Sequence, residues 1–409
     1  MKKFLIIVLC IISVAVTANF VLAKKSKTTK VPVKKVKQTP KPSPSTSTFH
    51  WPWEKACTGK GPIMLGTSPV DPNEIAMVSP MGQMVGGHVT PIDHGYIYAK
   101  EGYKPNPVPV AVRAPANGVI TAVTRTVRNE NGKIFDDYQM NIEYTCTFSN
   151  RFSNMTSLSK LVLDKVGNLT NNQSVNPKMT VQEGDVIGYI TWASLDVWLI
   201  NDEVTLKGFL VPDHYNESWK FHVVDLFDNM KEPARSQLLA LNPRTALPRW
   251  GKIDYDIDGK LIGNWFVEGT NGYRGTTKNI GYEGYWKGHL AIVPNAIDPS
   301  GIEISLGDYN GEAMQFGVKG NSPDPANVSV DSGIIKYELV PLSFVDGTGG
   351  TWYNRYYASG VKMKNQDDLV QGTVLIQMIG NRRMKMEIFP GQTGDQVSGF
   401  TSAAVIYER

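Results

Sequence analysis

Acidic residues are missing altogether from the first 45 positions of this chain, which carry ten lysines (two at the start and eight from Lys24 to Lys41). The remainder holds 32 basic and 38 acidic residues, a net of −6, so the overall +4 is a property of the N-terminus alone. A mildly acidic body lacks the basic patches that neutralise phosphates, which excludes nucleic acid as a partner. Helical patterning is scarce too. Between residues 86 and 228 only Thr156–Val166 repeats apolar residues with a 3.6 period, and 38 Gly with 25 Pro favour strands and turns. Cysteine is nearly absent. Cys10 lies in an apolar run after a large residue, which argues against a lipid-anchored cysteine, and only Cys57 and Cys146 remain. In an oxidising compartment these two pair; otherwise they are buried free thiols.

The apolar residues that are present begin at Phe4 and run to Ala23, behind Lys2 and Lys3. Residues 1–23 read as a secretory signal peptide cleaved after Val21-Leu22-Ala23, or as an uncleaved membrane anchor just long enough to span a bilayer. Either way the body is expected outside the cytoplasm. Residues 24–47 are Lys, Pro, Ser and Thr with almost nothing to bury, a disordered and self-repelling spacer. A length of 409 residues leaves room for two folded domains, placed at 48–244 and 245–409 with a Pro- and Arg-containing connector from Asn242 to Arg249.

The first domain is organised around Gly86-Gly87-His88-Val89-Thr90-Pro91-Ile92-Asp93-His94-Gly95-Tyr96-Ile97-Tyr98. Imidazole and carboxylate at this density are usual zinc ligands, and a metal-free His–Asp–His hydrogen-bonded cluster is the alternative. Strand-like runs follow at Pro107–Val123 (around an Ala-Asn-Gly turn), Met140–Phe148, Val181–Ile190 and Trp219–Leu226.

His88…Asp93, then Ala114-Pro115-Ala116-Asn117-Gly118-Val119-Ile120, then Val181-x-x-Gly184-Asp185-Val186-Ile187-Gly188, then a closing run ending in His222, together resemble the lysostaphin-type zinc endopeptidases over about residues 80–228. The resemblance implies a mainly β fold, the sheet core called the duplicated hybrid motif, and peptidoglycan-bridge cleavage. It also implies a zinc ion held by His88, Asp93 and His222, with a fourth position open to water. The family spaces its first ligand pair as His-x3-Asp, whereas His88 and Asp93 have four residues between them, so His94 is an alternative second ligand. Two of the family's working histidines are replaced, by Lys220 in the Lys220-Phe221-His222 segment and by Ser157. Lys220 serves as a base only if desolvated or held near the metal. A long insertion, Ser194 to Glu217, stands where the family has a Gly-rich loop. The Ala-Asn-Gly and Gly-Asp motifs are shared with biotinyl and lipoyl carriers, but no lysine sits in a hairpin where a carrier needs it.

Residues 252–409 read as all β. Gly288–Val293, Gly301–Leu306, Ala313–Val318, Gly333–Leu339, Thr351–Tyr357, Thr373–Ile379, Arg383–Phe389 and Thr401–Tyr407 alternate apolar and polar residues between Gly, Asn, Asp and Pro turns, with Gly380-Asn381 as a tight hairpin. An antiparallel barrel or sandwich is expected; Gly263-Asn264-Trp265-Phe266 faintly resembles the first strand of lipocalin-like barrels. Asp254, Asp256 and Asp258 start like a Ca2+-binding EF-hand loop, but Trp265 replaces the Glu at its twelfth position, so a solvated turn is expected. His50, His214 and His289 read as structural or surface residues. Trp352, Tyr353, Tyr356 and Tyr357 are able to stack on sugars, although residues two apart on a strand more often pack in a core.

Three functions follow. The first is an exported, degenerate metallopeptidase-like protein that keeps a metal or ligand site and acts by binding a cell-envelope polymer or peptide. The second is an active zinc endopeptidase, and the third a metal-free surface-binding or structural module.

Overall fold

Strands from distant parts of the sequence alternate in one large antiparallel sheet, and that interleaving places the residues of interest. The computed structural model describes residues 57–130, 132–192, 194–275 and 284–409, all within one compact unit. The expected signal peptide or anchor, the expected spacer and His50 lie outside the described residues. Among the described residues no helix is long and apolar enough to cross a membrane.

The first half contributes Ile75–Ser79 (β1), Gly95–Ala99 (β2), Val110–Arg113 (β3), Gly118–Glu130 (β4), Lys133–Thr145 (β5), Phe148–Met155 (β6), Ser157–Leu158 (β7), Gln173–Val175 (β8), Met179–Val181 (β9), Val186–Ile190 (β10) and Leu195–Asn201 (β11). The large sheet runs β1-β2-β11-β6-β5-β4-β8, with β9 also on β4, and a small sheet runs β3-β10-β7. The helix Lys160–Val166 (α1) starts on a Ser159 side chain that accepts from Val162 N–H, an N-cap that satisfies an orphan donor.

Residues two apart along a strand share a face of the sheet. On β2 the residues Gly95, Ile97 and Ala99 turn into the core, where they meet Val197 and Leu199 of β11, Phe152 of β6 and Met140 of β5. The opposite face carries Tyr96 and Tyr98, Asp196 and Trp198, and Arg151 and Ser153. Gly95 has to be glycine, since a Cβ there would come within 2.5 Å of the buried Trp250 ring.

Two expectations fail here. Val110–Arg113 and Gly118–Glu130 flank the Ala-Asn-Gly turn but do not pair; the chain crosses from the small sheet to the large one. The run from Trp219 is not a closing strand either. Ser218–His222 is a 3-10 helix, followed by a single bridge from Val223 to Ile200. The place between β2 and β6 is already filled by β11, which comes from the long insertion.

The second half is a closed eight-stranded antiparallel barrel. Its staves are Gly263–Val267 (β12), His289–Pro294 (β13), Ile302–Tyr309 (β14), Glu312–Val318 (β15), Ile334–Val340 (β16), Gly372–Gly380 (β19), Arg383–Pro390 (β20) and Val405–Glu408 (β21), each paired with the next and β21 with β12. Phe344–Val345 (β17) and Lys362–Met363 (β18) form a separate pair inserted between β16 and β19. The expected strands recur within a few residues, except Thr351–Tyr357, which is a loop between β17 and β18. Closure leaves no unpaired edge, and the interior is filled by Trp265, Ile292, Ile304, Phe316, Tyr337 and Val374 among others, each worth about 1.5–3 kcal/mol when buried. The Trp265 indole donates to Leu261 O at 2.7 Å, and the Arg409 guanidinium lies 4.0 Å over its ring.

Candidate functional site

A cavity of about 530 Å3 opens where the polar face of the large sheet meets the barrel. Junctions between folded bodies are common places for ligand pockets. The floor is the sheet face just described. One wall is the Gly86–Asp93 loop, and the roof is Glu217, Trp219 and Lys220 from the 3-10 helix with Tyr273 and Tyr285 from the barrel side.

The paired glycines of the motif exist for close approach. Gly86 has φ +50°, and its backbone N–H and C=O bond reciprocally to the Gln315 side chain of β15 at 2.9 and 3.0 Å. A Cβ on Gly87 would lie 2.9 Å from the Trp286 ring. These contacts pin the loop to the barrel and bring His88, Asp93 and His94 to the cavity wall.

Asp93 is buried and saturated. Its Oδ1 accepts from Trp198 Nε1 at 3.0 Å and lies 2.9 Å from His94 Nδ1, while its Oδ2 accepts from Trp219 Nε1 at 2.8 Å. Burial alone would raise its pKa; the His94 hydrogen bond, the Lys220 charge and the Trp198 indole outweigh that and hold it well below the usual carboxylate range. The His94 ring lies 3.8 Å from that of Trp198, and its Nε2 is 3.6 Å from Asp196 Oδ2. Asp196 is buried on β11, and there burial dominates, aided by the nearby Asp137 charge, so its pKa is pushed up to about 6. Asn154 fixes its other oxygen, donating from Nδ2 at 2.8 Å. To do so Asn154 adopts φ +65°, held by its own N–H on the fully buried Asp137 at 2.7 Å. A non-glycine residue in the left-handed region beside a cavity is strain that the surrounding bonds must offset.

Lys220 is fully buried, with Nζ 2.9 Å from Glu217 Oε2 and 4.3 Å over the Tyr273 ring. Burial would lower its pKa, yet the carboxylates of Glu217 and Asp93 prevail and hold it above its ordinary value. It is therefore a cation at neutral pH and unsuited to the role of base. Arg151 completes the floor, 5.1 Å over Trp198 and 5.4 Å over Trp219, with Nη2 on Gln139 Oε1 at 2.6 Å.

The expected ligand set is only partly brought together. His88, Asp93, His94 and Lys220 share the cavity; His222 does not line it. In a strand His222 would share a face with Lys220, but a 3-10 helix has about three residues per turn, which sends the two apart. His222 Nδ1 lies instead 2.6 Å from Val204 O. Among the described residues no three His, Cys, Asp or Glu side chains converge as a metal site. Ser157 sits on β7 in the small sheet, away from the cavity. Asp254, Asp256 and Asp258 diverge toward Lys252, Arg409 and Arg382 respectively and form no calcium loop. Cys57 and Cys146 are joined as a disulfide. His289 is structural, its Nε2 2.8 Å from Tyr273 O.

No sequence motif singles out Asp196, Trp198, Arg151 or Glu217, and Trp219 enters the sequence reading only as the start of a strand-like run. One signal was available. Leu195–Asn201 is a short apolar run between turn residues, as a strand buried on both faces would be, and Asp196 is the ionisable residue inside it. No family model matches the chain, nor does any curated protein or solved structure.

Proposed function

We propose that this is an exported binding protein whose junction cavity takes an uncharged, hydroxyl-rich ligand of the cell envelope, a glycan in preference to a peptide. The observation that carries the reading is the balance of the cavity wall. Three cations (Arg128, Arg151, Lys220) face three carboxylates (Asp93, Asp196, Glu217), with Tyr96, Tyr98, Trp198, Trp219, Tyr273 and Tyr285 between them. Such a wall has no net charge with which to select an ion, but it offers planar paired acceptors and donors for hydroxyls and flat apolar rings for the carbon face of a sugar.

The peptidase alternative needs a general base beside the reacting bond, and Lys220 is held protonated by Glu217. A three-ligand zinc site needs His222, which points elsewhere. Export is supported by the N-terminal apolar run and by the Cys57–Cys146 bond, since disulfides persist in oxidising compartments. The test is calorimetric titration of the full chain with neutral oligosaccharides and with peptidoglycan stem peptides. The proposal expects saccharide binding that Trp219→Ala weakens about tenfold or more. Binding of the peptides alone, or zinc-dependent cleavage of them, would overturn it.

A further inference from the structure

The aromatic residues of the cavity do not stop at its mouth. From Trp198 the rings pass to His94 (3.8 Å between centroids), Tyr96 (5.0 Å), Tyr98 (6.0 Å), Tyr103 (6.4 Å) and Tyr356 (5.0 Å). Trp198, Tyr96 and Tyr98 lie on the sheet, His94 immediately precedes β2, Tyr103 lies just past its end, and Tyr356 belongs to the loop between β17 and β18 of the barrel half. The path thus leads from a buried indole to a ring that is 52% exposed, in a loop whose Tyr353, three residues earlier, is 77% exposed.

That loop is fastened along the cavity edge. Tyr357 N–H donates to Ala76 O of β1 at 2.9 Å, and Asn354 Nδ2 reaches Gln83 Oε1, on the cavity wall, at 3.3 Å. Trp352 is the anchor: it is buried against Met77, Ile297 and Val361, and its indole donates to Tyr356 O at 2.8 Å. The loop therefore spends one aromatic on its own core and presents the others outward. Midway, the Tyr103 hydroxyl is buried and has no hydrogen-bond partner among the described residues. That hydroxyl is closed to water and to a ligand alike, so Tyr103 contributes its ring to the path and not its hydroxyl.

We infer that the ligand is a linear chain of several sugar units, the terminal units lying in the cavity and the following ones along Tyr98, Tyr103 and Tyr356 to Tyr353. The inference rests on the glycan reading of the cavity and adds to it the length and direction of the ligand. It also gives the barrel half a part in binding, through the loop between β17 and β18.

The experiment compares two-unit and about five-unit oligomers of β-1,4-linked glucose and of β-1,4-linked N-acetylglucosamine, titrated into the full chain and into Tyr356→Ala and Tyr356→Phe. The expected result is an affinity gain of about tenfold from short to long oligomers of at least one series. Tyr356→Ala abolishes that gain and leaves the short oligomer unaffected, while Tyr356→Phe keeps it. Equal affinity for short and long oligomers, or a gain that survives Tyr356→Ala, overturns the inference while the cavity reading stands. Failure of every oligomer to bind removes both.

Discussion

Trp219 and Asp93 are 126 residues apart in sequence, yet the indole Nε1 of one donates to the carboxylate Oδ2 of the other at 2.8 Å. This bond joins the roof of the cavity to its wall, and with Trp198 it leaves Asp93 no idle oxygen. Trp219→Phe keeps most of the ring and loses the donor, so it should cost about 1.5–3 kcal/mol. Asp93→Ala strips the Trp198 and Trp219 indoles of their acceptor and removes a carboxylate that faces Lys220, and should cost about 3–5 kcal/mol. Urea denaturation of both variants checks this; a smaller loss for Asp93→Ala than for Trp219→Phe would refute the arrangement. Because the Asp93 pKa is depressed by folding, its contribution is complete above the ordinary carboxylate value of about 4 and is lost as pH falls below it.

Asp196 behaves in the opposite sense. Its pKa is raised to about 6 by burial, so the folded chain binds a proton that the unfolded chain releases near pH 4. Stability from this group is present below about pH 4 and declines as pH rises to about 6. Asp196→Asn removes the dependence. The variant should gain about 3 kcal/mol on the wild type between pH 4 and pH 7, read from denaturation midpoints at each pH. An unchanged difference across that window would show that the carboxylate is not held in a desolvating site.

Lys220 and His222 are two positions apart and should respond very differently. Lys220→Ala leaves Glu217 and Asp93 without the cation that faces them, a loss of about 3–5 kcal/mol. His222→Ala removes one exposed hydrogen bond and should change stability by no more than about 1 kcal/mol. It should also leave zinc affinity and oligosaccharide affinity as they are. A fall in zinc affinity specific to His222→Ala would bring back the three-ligand site.

The Cys57–Cys146 bond closes a loop with a sequence separation of 89, for which the chain-entropy model gives roughly 4–5 kcal/mol. Replacing both cysteines by serine, or reducing the wild type, should lower stability by up to that amount. Identical denaturation curves with and without reductant would mean that the bond is absent in solution.

Alternation was enough to locate most of the barrel. Ile302–Tyr309, Glu312–Val318, Gly372–Gly380 and Arg383–Pro390 were legible because a strand with one buried and one wet face has to write a period of two into its residues. Thr351–Tyr357 is rich in strand-favouring aromatics and is a loop, for one tryptophan anchors it and three tyrosines turn outward. Trp219–Leu226 has strand-like residues and starts as a 3-10 helix, since a pattern states which side chains want burial and not which partner strand is free.

The site shows the same division. The sequence alone determined a mainly β chain, an antiparallel domain after the connector and a polar motif from Gly86 to Tyr98 that has to face something. Only the tertiary structure decided what it faces. Sheet order inserts β11 between β2 and β6, and this sets Asp196 and Trp198 beside His94 and turns Trp219 and Lys220 into a roof. Pairing order is settled by competition among strands for a limited number of edges, a property of the whole chain that no local stretch of it carries.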